Sequence, residues 1–213
     1  MSAVANVFLI GAAKAGTTAL ADMLAQHARI AGMPIKEPGH FCTDLRPEVF
    51  SKDYNRLIQW DEADYFSDAE LAERHIGFVE ERNHYHRLCQ QAQAAKPEAT
   101  HILDASTAYL YSVPAAKELA HYNSKAKIIV LLRNPIDRAW SHFSMALKYG
   151  MESEAPLEAF KREAALEKAR WGRDECYLEL GYYAQQLKRW KEKFGDKHLL
   201  VVFHEDLKNK PQK

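Results

Sequence analysis

The sequence predicts an α/β fold, a three-layer sandwich with a central parallel sheet. Three observations carry this. Short apolar runs within residues 7–10, 127–132 and 198–203, the last two opened by Lys127 and His198, have the pattern of strands buried on both faces. Stretches of helical periodicity separate them, and that alternation builds a parallel sheet with ligands at the carboxyl ends of its strands. The first run also passes straight into Gly11 and a small-residue loop, GAAKAGTT, the grammar of a loop that wraps a phosphate. With 213 residues, 47% of them hydrophobic, the chain can bury one sizeable core, and a single domain over residues 1–213 is the simplest account.

Taken in order, residues 7–10 form the first strand. Residues 17–27 follow as a helix capped by the hydroxyls at its start, with Leu20, Met23, Leu24 and His27 at helical spacing. Residues 32–77 are rich in Pro, Asp and aromatics without clean periodicity. They predict a long excursion over the sheet, of the kind that is usually functional or mobile. Tyr54, Trp60, Tyr65 and Phe66 within it either stack on a ligand, line an apolar channel, or form the excursion's own small core. Phe78, Tyr85, Leu88, Cys89 and Ala92 indicate a helix, residues 101–104 a short strand, and residues 115–122 a further helix. KIIVLL (127–132) is the strongest strand and runs into Arg133. Asn134-Pro135 opens the next helix, since Asn caps and Pro fits the first helical position. Ile136, Trp140, Phe143 and Leu147 are its expected apolar stripe. Leu180, Tyr183, Leu187, Trp190 and Phe194 step by three and four into an amphipathic helix that Gly195 ends, with Lys188, Arg189, Lys191 and Lys193 as its solvated face. HLLVVF (198–203) reads as a last buried strand.

Two constellations carry chemistry. Gly11 and Gly16 have the separation of the glycines in GxxxxGK[ST], yet Thr17 stands where the lysine belongs and the lysine lies inside the loop as Lys14. Backbone N–H groups and the helix dipole can still hold a phosphate there, with hydroxyls from Thr17 and Thr18. A magnesium triphosphate site calls for the lysine after Gly16 and an acid closing an apolar strand. Asp104 is the candidate for that acid, so a kinase using magnesium ATP is the alternative reading. The second constellation is LLRNPIDRAWSHF (131–143). Arg133 ends a strand, and Ser141 shares a helix face with Asn134 and Asp137. An arginine and a hydroxyl can hold a phosphate by charge and hydrogen bonds.

GAAKAGTTAL, KEPGHF and LLRNPIDRAWSHF, in that order, resemble sulfotransferases that use 3′-phosphoadenylyl sulfate, most closely the heparan-type and bacterial carbohydrate branch. ILDASTAYL (102–110) and GYYAQQLKRW…LLVVFHEDL extend the resemblance from Val7 to about Leu207. It implies a phosphate-loop architecture like that of nucleotide triphosphate hydrolases. It also implies that the loop from Gly11 through Ala12, Ala13, Lys14, Ala15, Gly16, Thr17 and Thr18 holds the 5′-phosphosulfate. Arg133 and Ser141 would hold the 3′-phosphate, and 3′-phosphoadenosine 5′-phosphate would be the product. The expected reaction is sulfuryl transfer to a hydroxyl of a carbohydrate or related small acceptor. Lys14 would relieve charge on the leaving phosphate without a metal. In KEPGHF the candidates for the base are Lys36, Glu37 and His40. The resemblance favours Glu37, with Lys36 as its charge partner and His40 as the rival. Asp104 stands where the family usually carries a glutamate. In the family, further helices and a basic glycine-containing loop follow the HEDL-like stretch, so the resemblance implies a domain lacking that C-terminal segment. A nucleotide-binding remnant without turnover is a further alternative.

Composition narrows the partners. Lys+Arg and Asp+Glu are both 29, which gives no bulk attraction for nucleic acid or anionic membrane. Cys42, Cys89 and Cys176 are widely spaced without a CxxC, as in a cytoplasmic protein with reduced thiols. The apolar opening is too short for a bilayer. His84 and His86 lack the further ligands of a metal site.

Overall fold

The computed structural model describes residues 3–209. Its main sheet has five strands: β1 (Val7–Leu9), β2 (Ile30–Gly32), β5 (His101–Asp104), β6 (Lys127–Leu132) and β7 (Leu199–Phe203). They lie in the order β2-β5-β1-β6-β7, every neighbouring pair parallel. β1 is central and fully buried, with Val7 opposite Leu103 on one side and Lys127 on the other. Successive crossovers therefore leave β1 in opposite directions, and the crevice beyond the carboxyl ends of β1, β5 and β6 is the place where such sheets bind ligands. Flanking the sheet are α1 (Thr17–Gln26), α4 (Arg82–Ala95), α6 (Ala115–Tyr122), α7 (Pro135–Lys148) and α9 (Tyr183–His198). No helix among the described residues is long and apolar enough to cross a membrane.

Four expectations need correction. Residues 32–77 are not a plain excursion. β3 (Ile35–Glu37) and β4 (Arg74–Ile76) pair in parallel as a second, two-stranded sheet, with α2 (Lys52–Ile58) and α3 (Glu62–Tyr65) between them. Strands of three residues are too short to show periodicity. β7 is not buried on both faces: among the described residues it is an edge strand that pairs with β6 alone, and Leu200 and Phe203 are 57% and 51% exposed.

On α7 three of the four residues of the predicted stripe turn away from the core; Phe143 packs inward as expected. Ile136, Trp140 and Leu147 are exposed, whereas Arg138, Ala139, Phe143 and Ala146 are buried. The small residues allow close packing, and Phe143 meets Phe160 and Tyr177 edge-on. Asn134 does cap this helix, its side chain accepting from the N–H of Ile136 at 2.9 Å. Arg189 is the last correction. It leaves the basic face of α9 and donates to the carbonyls of Leu110 and Tyr111 at 3.1 and 2.9 Å. Gly195, at φ 65°, breaks the helical run near its end as expected.

Candidate active site

Beyond β1 the chain turns sharply through residues 11–16. Gly11 has φ 147°, and a Cβ there would lie 2.8 Å from that of Leu110. Ala12 N–H donates to the Leu131 carbonyl at 2.7 Å, which pins the loop to β6. Lys14 and Gly16 take positive φ, 67° and 95°. Gly16 is the N-cap of α1 and no side chain caps this helix, so the hydroxyls of Thr17 and Thr18 do not play the expected capping part. The first-turn N–H groups are left without a side-chain partner, as in an anion-binding helix start.

A cavity of about 710 Å³ opens over this loop, with Ala13, Lys14, Gly16, Thr17, Thr18, Glu37, Arg133 and Ser141 in its wall. The constellations read at two strand ends therefore share one space. Gly11, Ala12 and Ala15 are buried and build the loop from behind; they do not line the cavity. Lys14 Nζ lies 3.2 Å from the Met145 sulfur, and Arg133 Nη1 donates to the Lys14 carbonyl at 3.2 Å. Burial pushes the Lys14 ammonium below its ordinary range, helped by the charges of Arg133 and Arg138. Arg138 is fully buried, donating from Nη2 to the carbonyls of Cys176 and Tyr177, while Nε and Nη1 have no partner. Among the described residues, no carboxylate forms an ion pair with Lys14, Arg133 or Arg138. Lys14 and Arg133 thus reach one cavity without an ion-pair partner among the described residues, an arrangement that suits an anion.

Glu37 closes β3 on the far wall. One carboxylate oxygen accepts from Lys36 Nζ at 2.7 Å and the other from the Thr107 hydroxyl at 2.6 Å. His75, on β4, approaches to 3.9 Å.

The sequence matches the sulfotransferase family over residues 6–213. The chain belongs to that family. A sulfotransferase from Alicyclobacillus acidocaldarius superposes with a TM-score of 0.79 at 27% identity, over 97% of this chain and 76% of that one. The chain is 24% identical to bifunctional heparan sulfate N-deacetylase/N-sulfotransferase 1 of Caenorhabditis briggsae, covering 98% of itself and 21% of that protein. It is also 24% identical to enzyme 3 of that name from Mus musculus, over 95% of itself and 20% of the relative. It thus spans about a fifth of the length of these curated relatives.

In this sulfotransferase-family chain, three further candidate residues lie outside the cavity wall: Asp104, His40 and Lys36. Asp104, the acid that magnesium ATP would have required, is fully buried. It accepts from the hydroxyls of Tyr85, Tyr109 and Ser106 at 2.8, 2.7 and 2.7 Å. Burial raises its carboxyl to about 6. His40 stacks on Tyr85 at 4.4 Å, and its Nδ1 donates to the Val79 carbonyl at 2.8 Å. Desolvation pushes its imidazole down to about 4, and it does not line the cavity. Lys36 touches Glu37 and is likewise outside the cavity lining. His84 is stacked on Phe66 and engaged with Glu62 at 2.7 Å.

Several cavity residues carried no sequence signal strong enough to single them out. His204 follows β7, and its Nδ1 would lie 3.0 Å from a Cβ at Gly16. The segment 171–176 supplies Trp171, whose Nε1 donates to the Tyr54 hydroxyl at 3.1 Å. It also supplies Glu175, 3.5 Å from His142 Nε2. Burial pushes Glu175 up to about 7 and His142 down to about 3. Of the excursion's aromatics, Tyr54 reaches the cavity; Trp60, Tyr65 and Phe66 pack on one another.

Proposed function

We propose that this chain transfers a sulfuryl group from 3′-phosphoadenylyl sulfate to a carbohydrate acceptor. The observation that carries the reading is the pair of cations Lys14 and Arg133, in the cavity wall beside an uncapped helix start. A donor with phosphate groups at both ends of a nucleoside suits that arrangement. The loop from Gly11 to Thr18 takes the phosphosulfate end, and Arg133 with Ser141 takes the 3′-phosphate.

Each step then falls to a residue of this chain. Lys14, held inside the loop, neutralises charge gathering on the phosphate oxygen as its bond to sulfur breaks. Glu37 accepts the proton that the attacking acceptor group loses while the new bond to sulfur forms. Lys36 balances the carboxylate's charge before it is protonated. The lysine's place before Gly16, rather than after it, separates this loop from the triphosphate pattern.

The names of the curated relatives support a carbohydrate acceptor. They also favour a second acceptor class beside the hydroxyl, the free amine of an amino sugar. Both groups must lose a proton, so Glu37 serves either. The test is transfer of label from a ³⁵S donor to an oligosaccharide with free hydroxyls and amines. Glu37→Gln is expected to lower turnover by about 10²- to 10⁴-fold while keeping affinity for 3′-phosphoadenosine 5′-phosphate. Transfer at the wild-type rate by that variant would remove Glu37 as the base.

A further inference from the structure

Glu37 sits on the small sheet, whereas the loop that carries Lys14 belongs to the large one. Something must register the two across the cavity. The residue after β5 that does so is Thr107, whose backbone N–H and hydroxyl both donate to the same oxygen of Glu37, at 3.2 and 2.6 Å.

The hydroxyl's direction is informative. Thr107 is the N-cap of a short helix, α5 (Ala108–Tyr111), a position where threonine ordinarily turns its oxygen to the helix N–H groups. Here it makes no such cap. Its single O–H proton goes to Glu37 instead. The neighbouring Ser106 strengthens the connection: its hydroxyl donates to Asp104 at 2.7 Å and accepts from Gly39 N–H at 3.1 Å. Adjacent residues at the end of β5 thus grip the Glu37-bearing segment at two points. Ser106 and Thr107 are themselves buried, 0% and 6% exposed, so neither anchor swings freely.

We infer that Thr107 is the positioning residue for the base, holding the Glu37 carboxylate in register with the loop that carries Lys14. The inference rests on the reading of Glu37 as the base. It adds the chain's own means of keeping that group in place: two donors from one buried residue fix the position and orientation of a carboxylate oxygen. The other groups around Glu37 are Lys36 on its own strand, His75 on β4, Lys14 on the phosphate loop, Tyr54 on α2 and Asp104 at the end of β5. None of them is changed by substitutions at Thr107.

The experiment is steady-state kinetics with a ³⁵S donor and an oligosaccharide acceptor. Thr107→Val, which keeps the side-chain shape, and Thr107→Ala are each expected to lower kcat about tenfold with donor KM unchanged, the cost of a misplaced catalytic group. Thr107→Ser, which keeps the hydroxyl, is expected to retain the wild-type kcat. Circular dichroism and binding of 3′-phosphoadenosine 5′-phosphate report whether each variant is folded, and a folded Thr107→Ala suffices if Thr107→Val is not. A kcat unchanged in the folded variants overturns the inference. Wild-type turnover in Glu37→Gln would instead overturn the base assignment, so the two failures read differently.

Discussion

The two halves of the cavity are built on different principles. The half that faces the phosphate loop comes from strand ends: Gly11 to Thr18 follow β1, Arg133 follows β6, and Ser141 lies two turns into α7. The opposite half comes from separate segments, with Glu37 on the small sheet, Tyr54 on α2, Met145 and Tyr149 at the end of α7, and residues 171–176 in a connecting stretch. Strand ends are fixed by the ladder, so a side chain placed there inherits the rigidity of the core. A wall made of connections owes its shape to side-chain bonds such as Trp171 to Tyr54 and Thr107 to Glu37. Rigid positioning suits a donor that must be held the same way at every turnover. The connecting wall is the half that can vary with the acceptor.

The largest expected effect would break this division from the strand-end side. Lys14→Ala is expected to lower kcat by about 10²- to 10³-fold, as losses of charge stabilisation at a leaving group do. Steady-state rates with saturating donor measure it. A loss confined to acceptor KM would place Lys14 in the wrong half. On the other side, Trp171→Leu is expected to raise acceptor KM about tenfold by removing an aromatic wall. Nucleotide affinity should be unchanged in titration, and a fall there would show that the halves are not separable.

The smallest effect is one of stability. Burial pushes the Glu175 carboxyl in the connecting wall up to about 7, from an ordinary value of 4.5. The native state therefore holds its proton where the unfolded chain has released it, and this contribution is present below about 4.5 and lost as pH rises through 7. Relative to Glu175→Gln, the wild type should lose denaturation midpoint between pH 4.5 and 7. Parallel midpoints over that interval would mean that Glu175 is solvated.

The same division governs what could be read in the sequence. Strand-end residues are legible because an apolar run ending in glycine or arginine is local: β1, β6, the tight turn after β1 and the Asn134 cap all fall where their spacing indicates. Glu37 and Lys36 could be singled out in the sequence, but not the contact of Glu37 with Thr107, which joins residues 70 positions apart. No local pattern encodes a pairing of that range. His40, in the same short motif, turns inward because Tyr85 offers a stacking face. The outward Ile136, Trp140 and Leu147 show the converse error. Hydrophobic spacing marks a helix face, but which face packs is decided by partners such as Tyr177 and Phe160.

The central claim is that Lys14, Arg133 and the uncapped start of α1 form a donor site. Calorimetric titration with 3′-phosphoadenosine 5′-phosphate, in the presence and absence of magnesium, tests it most directly. The account predicts metal-independent binding in the micromolar range, weakened about 30- to 100-fold in Arg133→Ala, as expected for loss of a charge-assisted phosphate contact. Binding of magnesium ATP without binding of 3′-phosphoadenosine 5′-phosphate, or affinity unchanged in Arg133→Ala, would contradict it.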